Sequence, residues 1–131
     1  MARLDDPGVA ALIGKPNHAV STHNSDGSIH STVVWVDTID GTLAINSAVG
    51  RKWPSNLERD PAITVLVYDQ ANAYDYVEVR GTATRTTEGA DEHIDRLAKK
   101  YLDADSYPFR KEGEQWITYT VAPTLVRHQK Q

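Results

Sequence analysis

Cysteine is absent from this sequence of 131 residues. Its absence excludes disulfide bonds, a thiol nucleophile and every zinc site that is built on thiolates. Long apolar runs are missing as well, because no stretch approaches the about 20 residues of a membrane-spanning helix. The segment "MARLDDPGVAALIGK" has acidic residues where a secretory signal peptide needs cations. These absences predict a cytoplasmic protein with no membrane span.

An excess of positive charge is also lacking. The chain has 14 Lys and Arg against 18 Asp and Glu, which gives a formal net charge of -4. A nucleic-acid-binding protein needs a broad basic surface, so this balance argues against nucleic acid as a partner. Hydrophobic residues make up 40% of the chain and charged residues 24%, as is ordinary for a globular protein. We expect a single domain over residues 1–131.

Alternating apolar and polar residues, separated by turn signals such as Asp26-Gly27 and Asp40-Gly41, predict a mainly β fold. A short helix capped by Asp6 comes first, followed by about six strands with a small helix after the third. An amphipathic helix precedes the last strand, and the run "AITVLVYD" is expected to be buried on both faces. Tight turns favour an antiparallel sheet, and closure of six strands into a barrel would remove their exposed edges.

The stretch "NSAVGRKWPSNLERDP" places two cations, Arg51 and Lys52, between the end of a strand and the start of a helix. Helix N-termini attract anions, and these two side chains suit phosphate or carboxylate groups. Ser47 and Asn56 would add neutral hydrogen bonds. The same pattern also fits a solvated loop with Trp53 in the core. The residues alone leave both interpretations open.

Aromatic residues and histidines give weaker indications. Tyr74, Tyr76 and the three tryptophans fit a slot for a flat ring, but they equally fit core packing or a dimer interface. His23 and His30 flank the Asp26-Gly27 hairpin and are positioned to face each other, but the spacing of a metalloprotease helix is missing, and we predict no metal site. The scattered carboxylates identify no acid–base pair, so the catalytic residues stay unassigned.

Three motifs in this order, "DGSIHS", "RKWPSNLERDP" and "VEVRGTA", resemble those of the pyridoxamine 5'-phosphate oxidase-like split β-barrel flavoproteins. The resemblance is narrower to the probable coenzyme F420-dependent oxidoreductases of actinobacteria, the flavin/deazaflavin oxidoreductase class B group. It covers about residues 15 to 127. It implies a six-stranded antiparallel split β-barrel that forms a homodimer, with two cofactor sites at the dimer interface.

The resemblance also implies which residues bind the cofactor. The strand "STVVW" would lie along the cofactor ring, and "NSAVGRKW" would hold its phosphate and side chain. The partner subunit would contribute residues near Tyr74 to Tyr76, and also Trp116. Many relatives have basic residues at the positions of Trp53 and Ser55, so this chain departs from them there. The implied cofactor-binding residues are Ser31, Thr32, Val33, Val34, Trp35, Asn46, Ser47, Ala48, Arg51, Lys52, Trp53, Pro54, Asn56, Tyr74, Tyr76 and Trp116.

The implied activity is reduction of an unsaturated or conjugated small molecule with a hydride from reduced F420. Because F420 is strongly anionic, a protein of net charge -4 needs a focused cationic pocket to bind it. Hydride transfer belongs to the cofactor, so no catalytic side chain is obligatory, although the hydroxyl of Thr32 or Tyr76 is a candidate proton donor. The alternatives are an FMN-dependent oxidase or reductase of the same fold, or a non-catalytic carrier of F420, haem or another tetrapyrrole.

Overall fold

The computed structural model describes residues 2–14, 18–109 and 111–130. Over these ranges the prediction of a mainly β fold with few helices is confirmed. Among the described residues, no helix is both long enough and apolar enough to cross a membrane. In chain order the elements are α1 (Pro7–Ile13), β1 (His18–His23), β2 (Ile29–Val33), β3 (Val36–Ile39), β4 (Thr42–Ala48), α2 (Lys52–Arg59), β5 (Ala62–Tyr68), β6 (Tyr76–Thr86), α3 (Ala90–Leu102) and β7 (Trp116–Gln129).

The strands form one antiparallel sheet of seven strands in the order β2-β1-β5-β6-β7-β4-β3. The predicted number of six strands is therefore wrong. The run that we expected to form one strand after the first hairpin leaves the sheet at Val34 and Trp35, which divides it into β2 and β3. Those two strands lie at opposite ends of the sheet order, although two residues separate them. The sheet therefore curls until its ends meet at this break, without closure by hydrogen bonds within the described chain.

Alternation along β5 separates a core face from an outer face. Ile63, Val65 and Val67 point into the main core and are at most 3% exposed, whereas Leu66 points outward and is 37% exposed. Within one chain the expectation that this strand is buried on both faces is therefore not met, because no described residue covers the outer face at Leu66. The pairing of β6 with β7 is irregular at one point, because the register shifts between Arg80 and Gly81.

Two helices, α1 and α3, complete the hydrophobic core. Helix α1 buries Val9, Leu12 and Ile13 in the main core. Asp6 precedes this helix as predicted but does not cap it, because its carboxylate accepts a hydrogen bond from the backbone N–H of Arg3 at 2.8 Å. Helix α3 forms a second, smaller cluster, which lies beside the break between β2 and β3. The buried members of this cluster are Ala48, Ala90, Ile94, Leu97 and Trp116.

Tyr101 of α3 fastens the break between β2 and β3 to the helix. The N–H of Val36 donates to the Tyr101 hydroxyl oxygen, and that hydroxyl donates to the carbonyl of Val36, both at 2.9 Å. The ring of Trp35 stacks on Tyr101 with centroids 5.2 Å apart and planes 8° from parallel. Replacement of Tyr101 with Phe should lower the free energy of unfolding by about 1–3 kcal/mol, because it leaves the N–H of Val36 without its partner, whereas the Val36 carbonyl still accepts from Lys100. Denaturant unfolding measures this change.

The matched control is Tyr74→Phe, which removes the same hydroxyl from a side chain that is 68% exposed. It should change the stability by less than about 0.5 kcal/mol.

Burial raises the pKa of Tyr101 to about 12, so its neutral form contributes stability below about pH 10 that is lost as the pH rises toward 12. The Tyr101→Phe variant should lose less stability over this range. Equal alkaline curves for wild type and variant would contradict the assignment.

Candidate functional site

A cleft of about 180 Å³ opens where the break between β2 and β3 meets the end of β4 and the start of α2. Broader grooves of up to about 390 Å³ occur elsewhere on the described surface. The cleft differs from them in the chemistry of its wall, which brings one cation, three aromatic side chains and buried polar groups together. Its lining residues are Val33, Val34, Trp35, Asn46, Ser47, Arg51, Trp53, Ile94 and Tyr107.

Two buried polar atoms of the wall have no hydrogen-bond partner within the described chain. They are the hydroxyl oxygen of Ser47, a residue that is 1% exposed, and the amide oxygen Oδ1 of Asn46, a residue that is 8% exposed. Buried polar groups almost always have a partner, and leaving one unpaired costs about 1–3 kcal/mol. Both residues line the cleft, so these atoms indicate that a polar ligand belongs there.

Arg51 supplies the positive charge of the cleft. Its guanidinium lies 5.4 Å above the ring of Trp116, and its Nη2 is 3.6 Å from a carboxylate oxygen of Glu114. The other carboxylate oxygen of Glu114 accepts a hydrogen bond from the N–H of Lys111 at 2.8 Å. Arg51 also precedes helix α2 without capping it through its side chain, so the positive end of the helix adds to the same potential. This end of the cleft suits an anionic group.

Lys52 differs from its neighbour Arg51 in its surroundings. It does not line the cleft, and its charge acts on Asp26 in the turn between β1 and β2. Hydrogen bonds from Ser28 hold the pKa of Asp26 below its usual value, and Lys52 adds a smaller attraction. Of the two adjacent cations, the geometry therefore favours Arg51 as the one that meets a bound anion.

Other predicted residues lie behind the cleft or away from it. Asn56 is buried and donates to the side chains of Thr22 and Asn24, both at 3.0 Å, so its amide holds the first hairpin against α2. Trp116 is 3% exposed within its own chain, and its contribution to a partner's site stays a prediction. Seven predicted residues do line the cleft. Those that do not are Ser31, Thr32, Ala48, Lys52, Pro54, Asn56, Tyr74, Tyr76 and Trp116.

The two candidate proton donors also lie outside the cleft of their own chain. Thr32 is half-buried in β2, and Tyr76 lies at the start of β6 beside a groove that it shares with Ser21 and Thr64. Tyr74 is exposed in the turn before that strand. Contacts of these side chains with a cofactor therefore stay a prediction that depends on a second copy of the chain.

Sequence reasoning missed Tyr107 and Ile94 as cleft residues. The ring of Tyr107 packs edge-on against Trp35 and Trp116, with centroids 5.9 and 5.1 Å apart. Its N–H donates to the carboxylate of Asp95 at 2.9 Å, which anchors the loop after α3 to the helix. Ile94 was assigned to the helix core by its spacing. The aromatic residue after α3 was visible in the sequence, but nothing local showed that its loop returns to Trp35.

A buried hydrogen bond between a histidine and a carboxylate was missed as well. His93 of α3 is 2% exposed, and its Nε2 lies 2.8 Å from Oδ1 of Asp37 in β3. The other carboxylate oxygen of Asp37 accepts a hydrogen bond from Arg96 at 2.9 Å. Burial opposes ionisation of Asp37, but the hydrogen bonds from His93 and Arg96 outweigh it and hold the pKa of this carboxyl below its usual value. Asp37 is therefore an anion at neutral pH.

The hairpin histidines do not form a site. Thr22 pairs with His30 and His23 pairs with Ile29, so the two histidines point to opposite faces of the sheet. His23 instead lies 3.3 Å from a carboxylate oxygen of Asp60. Among the described residues, no group of three or more His, Asp or Glu side chains is arranged to hold a metal ion.

A curled antiparallel sheet with a polar cleft at the meeting point of its ends defines a split β-barrel protein. Residues 6–127 match the profile of the family described as pyridoxamine 5'-phosphate oxidase, and the chain belongs to this family. The predicted membership is thereby confirmed. No protein with a curated description is significantly similar to the chain.

Solved structures of low sequence identity share the fold. An F420 reductase superposes with a TM-score of 0.76 at 21% identity, over 89% of this chain and 94% of its own. A conserved hypothetical protein from Mycobacterium tuberculosis gives 0.75 at 19% identity, over 96% and 84%. PhzG from Burkholderia lata, in complex with tetrahydrophenazine-1-carboxylic acid, gives 0.62 at 16% identity, over 88% and 69%. At these identities the likeness concerns the fold alone.

Proposed function

We propose that the protein is an oxidoreductase that binds coenzyme F420 in the cleft and reduces an unsaturated or conjugated small molecule. The observation that carries the proposal is the convergence of Arg51 with the unpartnered hydroxyl of Ser47 on one cleft. When bound, F420 supplies a hydride, which is the cofactor's own chemistry. Family membership supports an oxidoreductase of the flavin or deazaflavin type. The similar fold of an F420 reductase favours the deazaflavin.

The cleft residues fit such a cofactor by chemistry. Arg51 and Ser47 would hold an anionic side chain through charge-assisted hydrogen bonds. Trp35 and Tyr107 would provide aromatic surface for a flat ring. The apolar side chains of Ile94 and Trp53 would exclude water from the reacting end of the ring. No side chain is assigned to proton transfer.

FMN is the alternative cofactor. The same arginine and hydroxyl suit its phosphate monoester, and the family as a whole is described by an oxidase. A non-catalytic carrier of F420 or of a tetrapyrrole is the second alternative, because binding needs no substrate site. The chemistry of the cleft fits all of these functions, so measurements of ligand binding and of turnover must distinguish them.

Side-by-side titration of the purified protein with F420 and with FMN tests the cofactor. We expect the tighter binding for F420, since its several carboxylates add to the phosphate in the field of Arg51 and the α2 terminus. A yellow preparation that releases FMN on denaturation would instead identify FMN. Reduced F420 is then offered with an enone, a quinone and a tetrapyrrole as acceptors. Tight binding without oxidation of reduced F420 by any acceptor would leave the carrier function.

We also propose that the protein is a homodimer that pairs through the outer face of β2, β1 and β5. Ile29 and Val33 are 65% and 78% exposed there, and Leu66 is 37% exposed. The small residues Ser21 and Ser31 lie between them, with their hydroxyls 2.7 Å apart, so this face is flat enough for a second sheet. Because Val33 also lines the cleft, a second copy on this face would reach the cofactor site.

Sedimentation of the purified protein checks this prediction, with an expected mass of twice 14.5 kDa. Leu66→Glu should give monomers, because it puts a charge at the centre of the apolar face. Thr84→Glu, an exposed position on β6, is the control and should leave the dimer intact. A wild-type monomer at micromolar concentration would contradict the proposed interface and remove the partner's contribution to the cleft.

A further inference from the structure

A buried chain of hydrogen bonds leads from Asp37 to the wall of the cleft. Beyond His93, whose Nε2 meets Asp37, the ring nitrogen Nδ1 lies 2.9 Å from the hydroxyl of Thr118. That hydroxyl lies 3.3 Å from Nδ2 of Asn46, which is also 3.1 Å from His93 Nδ1 and 3.0 Å from the carbonyl oxygen of Ala90. Asn46 and Thr118 face each other directly on β4 and β7. The proposed function gives this chain of hydrogen bonds no role.

The partners fix the direction of each hydrogen bond. The Ala90 carbonyl only accepts, so the Asn46 atom beside it is the amide nitrogen. The Asp37 carboxylate also accepts, so His93 carries a proton on Nε2. Nδ1 of His93 lies 3.1 Å from the amide nitrogen of Asn46, which only donates, so Nδ1 is an acceptor and takes the proton of the Thr118 hydroxyl. The second amide proton of Asn46 then points to the Thr118 oxygen. A flipped amide would set its oxygen against the Ala90 carbonyl, so the orientation of Asn46 is locked.

This lock leaves the buried amide oxygen of Asn46, a residue that lines the cleft, without a hydrogen-bond partner among the described residues. An amide oxygen accepts hydrogen bonds and never donates them. We propose that the buried chain of Asp37, His93 and Thr118 holds Asn46 as a specificity-determining acceptor, which selects ligands that present an N–H donor at the edge of a ring. Thr118 and His93 are positioning residues in this arrangement, because they act on the ligand through Asn46.

The inference rests on the proposed binding of a deazaflavin or flavin, and it deepens that proposal. Both rings carry an imide N–H between two carbonyl groups, which is the donor that the Asn46 oxygen lacks. A ring edge with only acceptors, or with a methylated nitrogen, would meet the lone pairs of this oxygen without a proton between them. The hydroxyl of Ser47 does not discriminate in this way, because it donates as readily as it accepts.

A pair of probes tests the acceptor. One is a deazaflavin with a ribityl chain and a free imide N–H, and the other is the same compound methylated on the imide nitrogen. Both are titrated into wild type and into Asn46→Leu, which has nearly the same shape but no acceptor. Methylation should weaken binding to wild type by about tenfold or more and should change binding to Asn46→Leu by less than about threefold.

A second pair of variants tests the positioning role. Thr118→Val removes the hydroxyl that links His93 to Asn46 while keeping the shape of the side chain. It should lower the preference for the free N–H probe by a few-fold, because Asn46 then keeps only the Ala90 carbonyl and His93 Nδ1 as anchors and its amide is held less firmly. Thr120→Val lies two residues further along β7, outside the chain of hydrogen bonds, and should keep the full preference. Thermal melting identifies any variant that fails to fold, and the wild-type probe comparison stands without it.

The outcomes separate the two proposals. Equal binding of both probes to wild type would overturn the acceptor role and leave the proposed cofactor site standing. Failure of both probes, F420 and FMN to bind wild type would overturn the cofactor site and the acceptor together. Full preference retained in a folded Thr118→Val variant would remove the positioning role of the buried chain.

Discussion

Replacement of Arg51 with alanine should weaken the binding of F420 by about 10- to 150-fold. A hydrogen bond to a charged group contributes about 1.5–3 kcal/mol, and each 1.4 kcal/mol corresponds to a tenfold change in affinity. Arg51 is the cleft-lining cation among the described residues, and it borders the positive end of α2 and the unpartnered hydroxyl of Ser47. Isothermal or fluorescence titration measures the change, and the fold should stay intact because the side chain is half-exposed.

Lys52→Ala is the matched control, since it removes the same charge from the adjacent residue. Lys52 lies outside the cleft and its charge acts on Asp26, so we expect a loss of affinity of less than about threefold, which is the effect of a screened surface charge.

Glu114→Gln should have the opposite effect on the affinity for an anionic ligand. The Glu114 carboxylate competes with the ligand for Arg51, and its removal should raise the affinity for an anionic ligand by a few-fold, about 0.5–1 kcal/mol.

The order of the three variants is the decisive result. Equal losses for Arg51→Ala and Lys52→Ala would show a diffuse field in place of a directed contact. Unchanged affinity in Arg51→Ala would mean that Arg51 does not contact the bound anion. It would remove the main support for the cofactor site. A salt series adds a separate readout, because the difference between wild type and Arg51→Ala should shrink as ionic strength rises.

The sequence predicted the hairpins well because their signals are local. The turns at Asp26-Gly27 and Asp40-Gly41 need residues that tolerate positive φ, and Gly27, Asp40 and Gly41 have φ of 87, 52 and 77°. The break at Val34 and Trp35 was not predicted. Its residues are apolar and favour strands, and the contact that fastens the break is distant in sequence, since Tyr101 binds both backbone groups of Val36 from 65 positions away.

Some features of the candidate site were likewise predictable from the sequence, and others were not. The loop that holds Arg51 was visible as two cations between a strand and a helix, and both Ser47 and Asn46 belong to the same stretch. The different surroundings of Arg51 and Lys52 were not visible, since they depend on Glu114 and Trp116 far along the chain. His93 was hidden for a similar reason. Its position on the apolar stripe of α3 is typical of a core residue, and its partners come from three strands.

Gly81→Ala should destabilise the protein by about 3 kcal/mol or more, at the upper end of the cost of overpacking. A Cβ on Gly81 would lie 2.2 Å from the carbonyl oxygen of Ala122 and 3.0 Å from a methyl group of Val121. Carbon and oxygen normally approach no closer than about 3.3 Å, so the two backbones must separate by about 1 Å. The obstacle is main chain on the longest strand of the sheet, where no side chain can rotate out of the way.

Gly14→Ala is the matched control for this substitution. Gly14 follows α1 with φ of -69°, which any residue adopts, and the nearest atom to its added Cβ is 3.4 Å away. The free energy of unfolding of this variant should rise by up to about 1 kcal/mol, because alanine restricts the unfolded chain and causes no strain in the folded one. Denaturant unfolding of both variants gives the comparison. A Gly81→Ala protein as stable as Gly14→Ala would mean that β6 and β7 do not approach this closely at the bulge. The register of β6 against β7 on the far side of the bulge would then need revision.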